Sequence, residues 1–213
     1  MVGVLAAAVV GATAGAATAP HAWRVPPRGS PLAQASRARR GRTCALVAVQ
    51  ALAAALVAAR VGWDPVLAGL MVAEFSSVWL SAVDLHAHRL PAFAVYAATA
   101  LVLCLLVLAA LAGHEPRRAL AVCAGAAALR LVYQAVSVGL GGIGAGDVRL
   151  SSLLGAVGAW GGWHGWILAT ALPFVTFAAV GMAINAIRGQ HGGALPFGPA
   201  MALGLLAVVV LAG

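Results

Sequence analysis

Gly141-Gly142-Ile143-Gly144-Ala145-Gly146-Asp147-Val148-Arg149-Leu150 lies between two apolar runs, 119–139 and 148–160, and places a carboxylate directly after a glycine-dense turn. Asp147 is one of only five acidic residues in a chain of 213. Working outward, a second carboxylate closes another apolar run, in Val83-Asp84-Leu85-His86-Ala87-His88-Arg89-Leu90-Pro91. An ionisable group at the edge of hydrocarbon is expensive to keep there, and it points to function. Two of them at equivalent depths suggest a pair.

Composition sets the solvent. Hydrophobic residues make up 63% of the chain, charged residues 8%, and the mean hydropathy is +1.00, far outside the range of soluble globular domains. The expectation is an all-α, polytopic transmembrane bundle forming one membrane-embedded domain over 1–213. All thirteen basic residues are arginine, and the net charge is +8. Spread over short loops, that charge is topological and not a nucleic-acid footprint. Cys44, Cys104 and Cys123 stand alone in apolar runs without C-x-x-C spacing, as small apolar fillers do. Residues 1–19 lack a basic leader and are expected to be a retained span.

A helix needs about 20 residues to cross the hydrocarbon. Eight apolar runs qualify as spans, at 1–19, 44–60, 65–83, 91–112, 119–139, 148–160, 165–187 and 196–212. The sixth is short, and Gly158, Gly161, Gly162 and Gly165 blur its exit. Arginine placement sets the expected orientation. With the basic 20–43 loop in the cytosol, nine arginines lie inside (Arg24, Arg28, Arg37, Arg39, Arg40, Arg42, Arg89, Arg149, Arg188) and three outside (Arg60, Arg117, Arg118), with Arg130 inside a span. The N-terminus is therefore expected outside, and Asp84 and Asp147 at the cytosolic ends of their helices. Trp63, Trp160, Trp163 and Trp166 then fall at the outer interface, where indoles are enriched. The 20–43 loop, rich in proline and arginine, is too poor in apolar residues for a core and suits an anionic lipid surface.

Two carboxyl groups brought together cannot both ionise cheaply and hold one proton between them near neutral pH. Such a pair can hydrolyse a peptide bond: one member takes a proton from water while the other donates to the carbonyl oxygen. Gly144 and Gly146 carry no side chain to obstruct an extended peptide. The same pattern also reads as an ordinary glycine turn before a helix-capping aspartate.

Three motifs in order add to this: Asp84 with Leu90-Pro91, then Gly144-Ala145-Gly146-Asp147-Val148-Arg149-Leu150, then Leu195-Pro196-Phe197-Gly198-Pro199. Together they resemble the prepilin peptidases, membrane aspartic peptidases that remove the basic leader from type IV pilin and pseudopilin precursors. The resemblance covers about 84–204. It implies that Asp84 and Asp147 are the catalytic pair, that Gly144, Gly146, Arg149, Pro196 and Gly198 lie beside the substrate, and that cleavage falls after a glycine at the cytosolic face of a bacterial inner membrane. It implies no metal and no cofactor. Ala92 and Arg149 stand where many members have asparagine and lysine. The basic loop lacks the zinc-binding cysteines of the longer, methylating members, so the short form is implied.

Other readings use the same residues. Asp84, His86 and His88 have D-x-H-x-H spacing, but a solvated basic loop accounts for them better than a metal site without a fourth ligand. Glu74 lies inside a span, where a pairing with Arg130 and a substrate-sensing role are the alternatives, and Tyr133 or Gln134 could serve polar groups there equally well. A proton-coupled transporter or channel would use the two aspartates as a relay. Presenilin-type proteases share Gly-x-Gly-Asp, but their first aspartate usually follows tyrosine, whereas Val83 precedes Asp84.

Overall fold

The structure, a computed structural model, describes residues 2–23, 36–139, 143–188 and 196–212. Among them the chain is all-helical, with eight helices: α1 (Val2–Ala22), α2 (Ser36–Val61), α3 (Val66–Ala87), α4 (Ala92–Ala112), α5 (Pro116–Gly139), α6 (Ala145–Trp160), α7 (Gly162–Arg188) and α8 (Gly198–Ala212). Each coincides with one of the eight apolar runs. Six of the helices, α1 to α5 and α7, contain segments long and apolar enough to cross a membrane.

Helix boundaries follow local chemistry. The Asp64 carboxylate accepts the Val66 N–H at 2.9 Å, satisfying a donor that the first turn of α3 leaves free. Pro91 and Pro116 open α4 and α5, where a missing N–H costs nothing. Gly162, at φ +72°, makes the turn between α6 and α7, a conformation glycine adopts without strain.

Two expectations change. The 20–43 segment is not all loop: α1 runs on to Ala22 and α2 begins at Ser36, while 24–35 lie outside the described residues. Arginine and alanine are strong helix formers, so α2 extends through the basic run beyond its apolar part. The Trp23 indole, bonded to Thr43 Oγ1 at 3.1 Å, ties the end of α1 to α2. Helices α6 and α8 are also shorter than membrane spans, 16 and 15 residues, or roughly 24 and 22 Å. The reason is visible in α6, which is buried on every side from Leu150 to Ala159 among α3, α4, α5, α7 and α8. A helix sheathed in protein has no bilayer thickness to match.

Small residues let α6 in. A Cβ on Gly155 would stand 2.8 Å from the Leu129 Cβ, so α5 and α6 cross with their backbones nearly touching. The bundle's two ends differ in chemistry. Arg60 donates to the Val210 carbonyl at 3.0 Å, Arg118 lies over Trp160 at 5.1 Å, and Trp163 stacks on Trp166 at 5.8 Å, all at one end. At the other, α3 finishes and α6 and α8 begin.

Candidate functional site

Asp84 sits in the last turn of α3, which closes on His88 in the left-handed conformation, φ 49° and ψ 38°. A carboxylate at a helix C-terminus faces unpaired carbonyls and costs about 0.3–1 kcal/mol, so local preference does not explain it. Its side chain turns instead to the first residue of α8, whose Gly198 N–H donates to Asp84 Oδ2 at 3.0 Å. One turn back along α3, the Ser81 hydroxyl lies within hydrogen-bond distance of both the Gly198 carbonyl, at 2.9 Å, and the Ser77 carbonyl of its own helix, at 2.7 Å. Both backbone groups of one glycine are thus held by one face of α3. A Cβ on Gly198 would lie 2.9 Å from Asp84 Oδ2, so this contact requires glycine. Asp84 is buried, at 7% exposure.

Asp147 stands in the first turn of α6, where the helix dipole favours an acid. Its carboxylate lies beside the residue that precedes the helix, with Oδ2 3.1 Å from where a Cβ on Gly144 would stand. The two carboxylates belong to helices that pack together, and the charge of Asp84 acts on Asp147. Helices whose aspartates are 63 residues apart in sequence therefore place them at the same end of the bundle. Each is also a helix N-terminal partner, Asp147 for its own α6 and Asp84 for α8.

Around the pair the sequence-derived residues divide. The space a side chain would take at Gly146 is filled by Leu90, whose Cβ would be 2.8 Å away. Gly146 therefore seats α6 on the α3–α4 turn. Gly144 is exposed and borders the Asp147 carboxylate. Arg149 turns to α4, its guanidinium 6.0 Å from the Tyr96 ring, which Arg130 also covers at 5.8 Å. Pro196 is half-buried beside Phe197, while Leu195, Gly141 and Gly142 lie outside the described residues. His86 meets Arg42 at 3.1 Å and the edge of Trp23 at 5.6 Å, so its ring is engaged with α2 and the end of α1. No group of three or more metal-ligating side chains occurs among the described residues. Glu74 does not pair with Arg130: its Oε1 has no hydrogen-bond partner among them, at 2% exposure.

Two contributors went unassigned in the sequence. Ser81 could have been found, because Glu74, Ser77, Ser81 and Asp84 repeat at helical spacing along one face of α3. Tyr133 is the other. It is fully buried, its ring lies 5.0 Å from Phe174 and 6.1 Å from Phe197, the charge of Asp147 reaches it, and its hydroxyl has no partner among the described residues.

No family model, curated protein or solved structure matches this chain. Fold and site define a class: among the described residues, an all-helical bundle with six helices of membrane-crossing length and two carboxylates at one end, Asp84 closing α3 and Asp147 opening α6.

Proposed function

We propose that the protein is a membrane aspartic endopeptidase of the prepilin-peptidase type, removing the basic leader from type IV pilin-like precursors. The observation that carries this is that α3 and α6, which pack together, set Asp84 and Asp147 at the same end of the bundle. In the proposed mechanism the pair shares one proton. The ionised carboxylate takes a proton from water, and the protonated partner donates to the scissile carbonyl oxygen as the tetrahedral intermediate forms. Gly198 N–H holds Asp84 in place while leaving its other oxygen for water and substrate.

The proposed setting is a bacterial inner membrane, with eight helices inserted, the N-terminus outside and the dyad at the cytosolic face. Arg42, Arg89 and Arg149 belong to the carboxylate end of the bundle and the tryptophan cluster to the other, in keeping with that orientation. Co-expression with a tagged pilin precursor tests the activity. Asp84→Asn and Asp147→Asn are each expected to abolish processing while leaving protein levels near normal, and undiminished processing by either variant refutes the assignment.

A proton-coupled transporter is the second reading, favoured by one observation: buried Glu74 shares a face of α3 with Asp84. Proton flux in liposomes that depends on Asp84, without cleavage of any precursor, would select it.

A further inference from the structure

A groove with a cavity volume of about 410 Å³ runs between α2, α3 and α8. Its walls are apolar, from Ala53, Val78, Leu203 and Leu206; Glu74 and Ser81 of α3 interrupt them, and the paired Arg42 and His86 stand where α3 ends. The groove is continuous with the candidate site, since Ser81 and Leu85 flank Asp84 and Pro199 follows Gly198. Its rim residues Val49 and Leu203 are 51% and 55% exposed on the outer surface of the bundle.

Glu74 is the feature the proteolytic mechanism does not use. It lines the groove ten residues before Asp84, roughly 15 Å of helix rise, almost wholly buried and with Oε1 unpartnered. A carboxyl stranded among apolar walls is costly without a hydrogen bond. A lipid acyl chain fills such walls but brings no donor. A helix does, though only through a side chain, because its backbone donors are spent internally.

We infer that this groove receives the apolar membrane-spanning helix of the substrate, and that Glu74 accepts a hydrogen bond from a donor side chain on that helix about ten residues beyond the cut. The inference rests on the peptidase reading and gives it a specificity element. The unwound segment lies at Asp84 and Asp147, and the helix that follows packs against α3 and α8, with serine, threonine, asparagine, glutamine or lysine at the depth of Glu74. Glu74 is thereby a specificity residue, remote from the bond that breaks.

The test uses the full-length protein in phospholipid vesicles and a synthetic precursor with a basic leader and one apolar helix. A single serine is walked across positions about eight to twelve after the cut, against an all-leucine control. Wild type should cleave one serine precursor about three- to tenfold better than the control, chiefly through KM. Glu74→Leu should erase that preference, and Glu74→Gln, which can still accept a hydrogen bond, should keep part of it. A photo-crosslinker at Leu203 in the Asp84→Asn protein should capture the uncleaved precursor. Equal cleavage of every precursor by wild type, or crosslinks to lipid alone, overturns the inference while leaving the peptidase in place. If wild type cleaves no precursor, the peptidase reading fails and takes the inference with it. The crosslink needs no turnover, so the two failures are told apart.

Discussion

Gly198 shows how little room the site leaves. The carboxylate of Asp84 lies where a side chain at this position would begin, 2.9 Å from the site of a Cβ. Gly198→Ala is therefore expected to push the carboxylate off the α8 N-terminus and reduce precursor cleavage at least about 100-fold, a loss comparable to that of a misplaced catalytic group. Thermal unfolding in detergent should shift far less, because the rest of α8 still packs. Tyr133 makes the contrasting case. A buried hydroxyl without a partner costs about 1–3 kcal/mol, so Tyr133→Phe should leave the unfolding midpoint unchanged or raise it. A clear fall would reveal a hydrogen bond that the resting arrangement lacks. Ser81 is fixed by its bond to the Gly198 carbonyl, and Ser81→Ala should weaken the α3–α8 clasp by about 0.6 kcal/mol, the average for polar contacts between membrane helices.

At the scale of elements, α6 governs the geometry, since it carries Asp147 and is enclosed by five other helices. Its crossing with α5 depends on Gly155 and Gly125, where any Cβ collides with the facing helix. Gly155→Leu is expected to wedge the pair apart and destabilise the bundle by about 1–3 kcal/mol or more, read as a lower unfolding temperature in detergent and reduced membrane accumulation. The start of α4 was legible in the sequence, because Pro91 acts through its own backbone, whereas the exit of α6 at Gly162 was blurred by the glycines around it. The extension of α2 back to Ser36 was not legible, since a basic run between proline-rich residues and an apolar span reads equally well as loop. The packing at Gly146 was not legible for a related reason: a glycine before a carboxylate fits an open peptide path, and only the tertiary structure brings Leu90 of the α3–α4 turn against it.

For the molecule as a whole, the proposed orientation is open to a direct check. In a variant lacking Cys44, Cys104 and Cys123, a cysteine at Trp63 should react with a membrane-impermeant maleimide from outside intact cells. A cysteine at Arg89 should react only after the membrane is opened, and the opposite pattern would invert the topology. Composition and the lengths of apolar runs determined, without coordinates, that this is a helical bundle, with the eight helices found among the described residues, and that Asp84 and Asp147 sit at helix ends on one side of it. Both are local properties, written along single segments. Tertiary structure decided which faces meet: that α6 is sheathed in protein, that the donor to Asp84 comes from a residue 114 positions away, and that Glu74 faces a groove and not Arg130. The physical reason lies in the solvent. Lipid and protein core both favour apolar side chains, so the periodicity that separates buried from exposed faces in water is nearly erased here, and the packing partners of each helix are settled by shape.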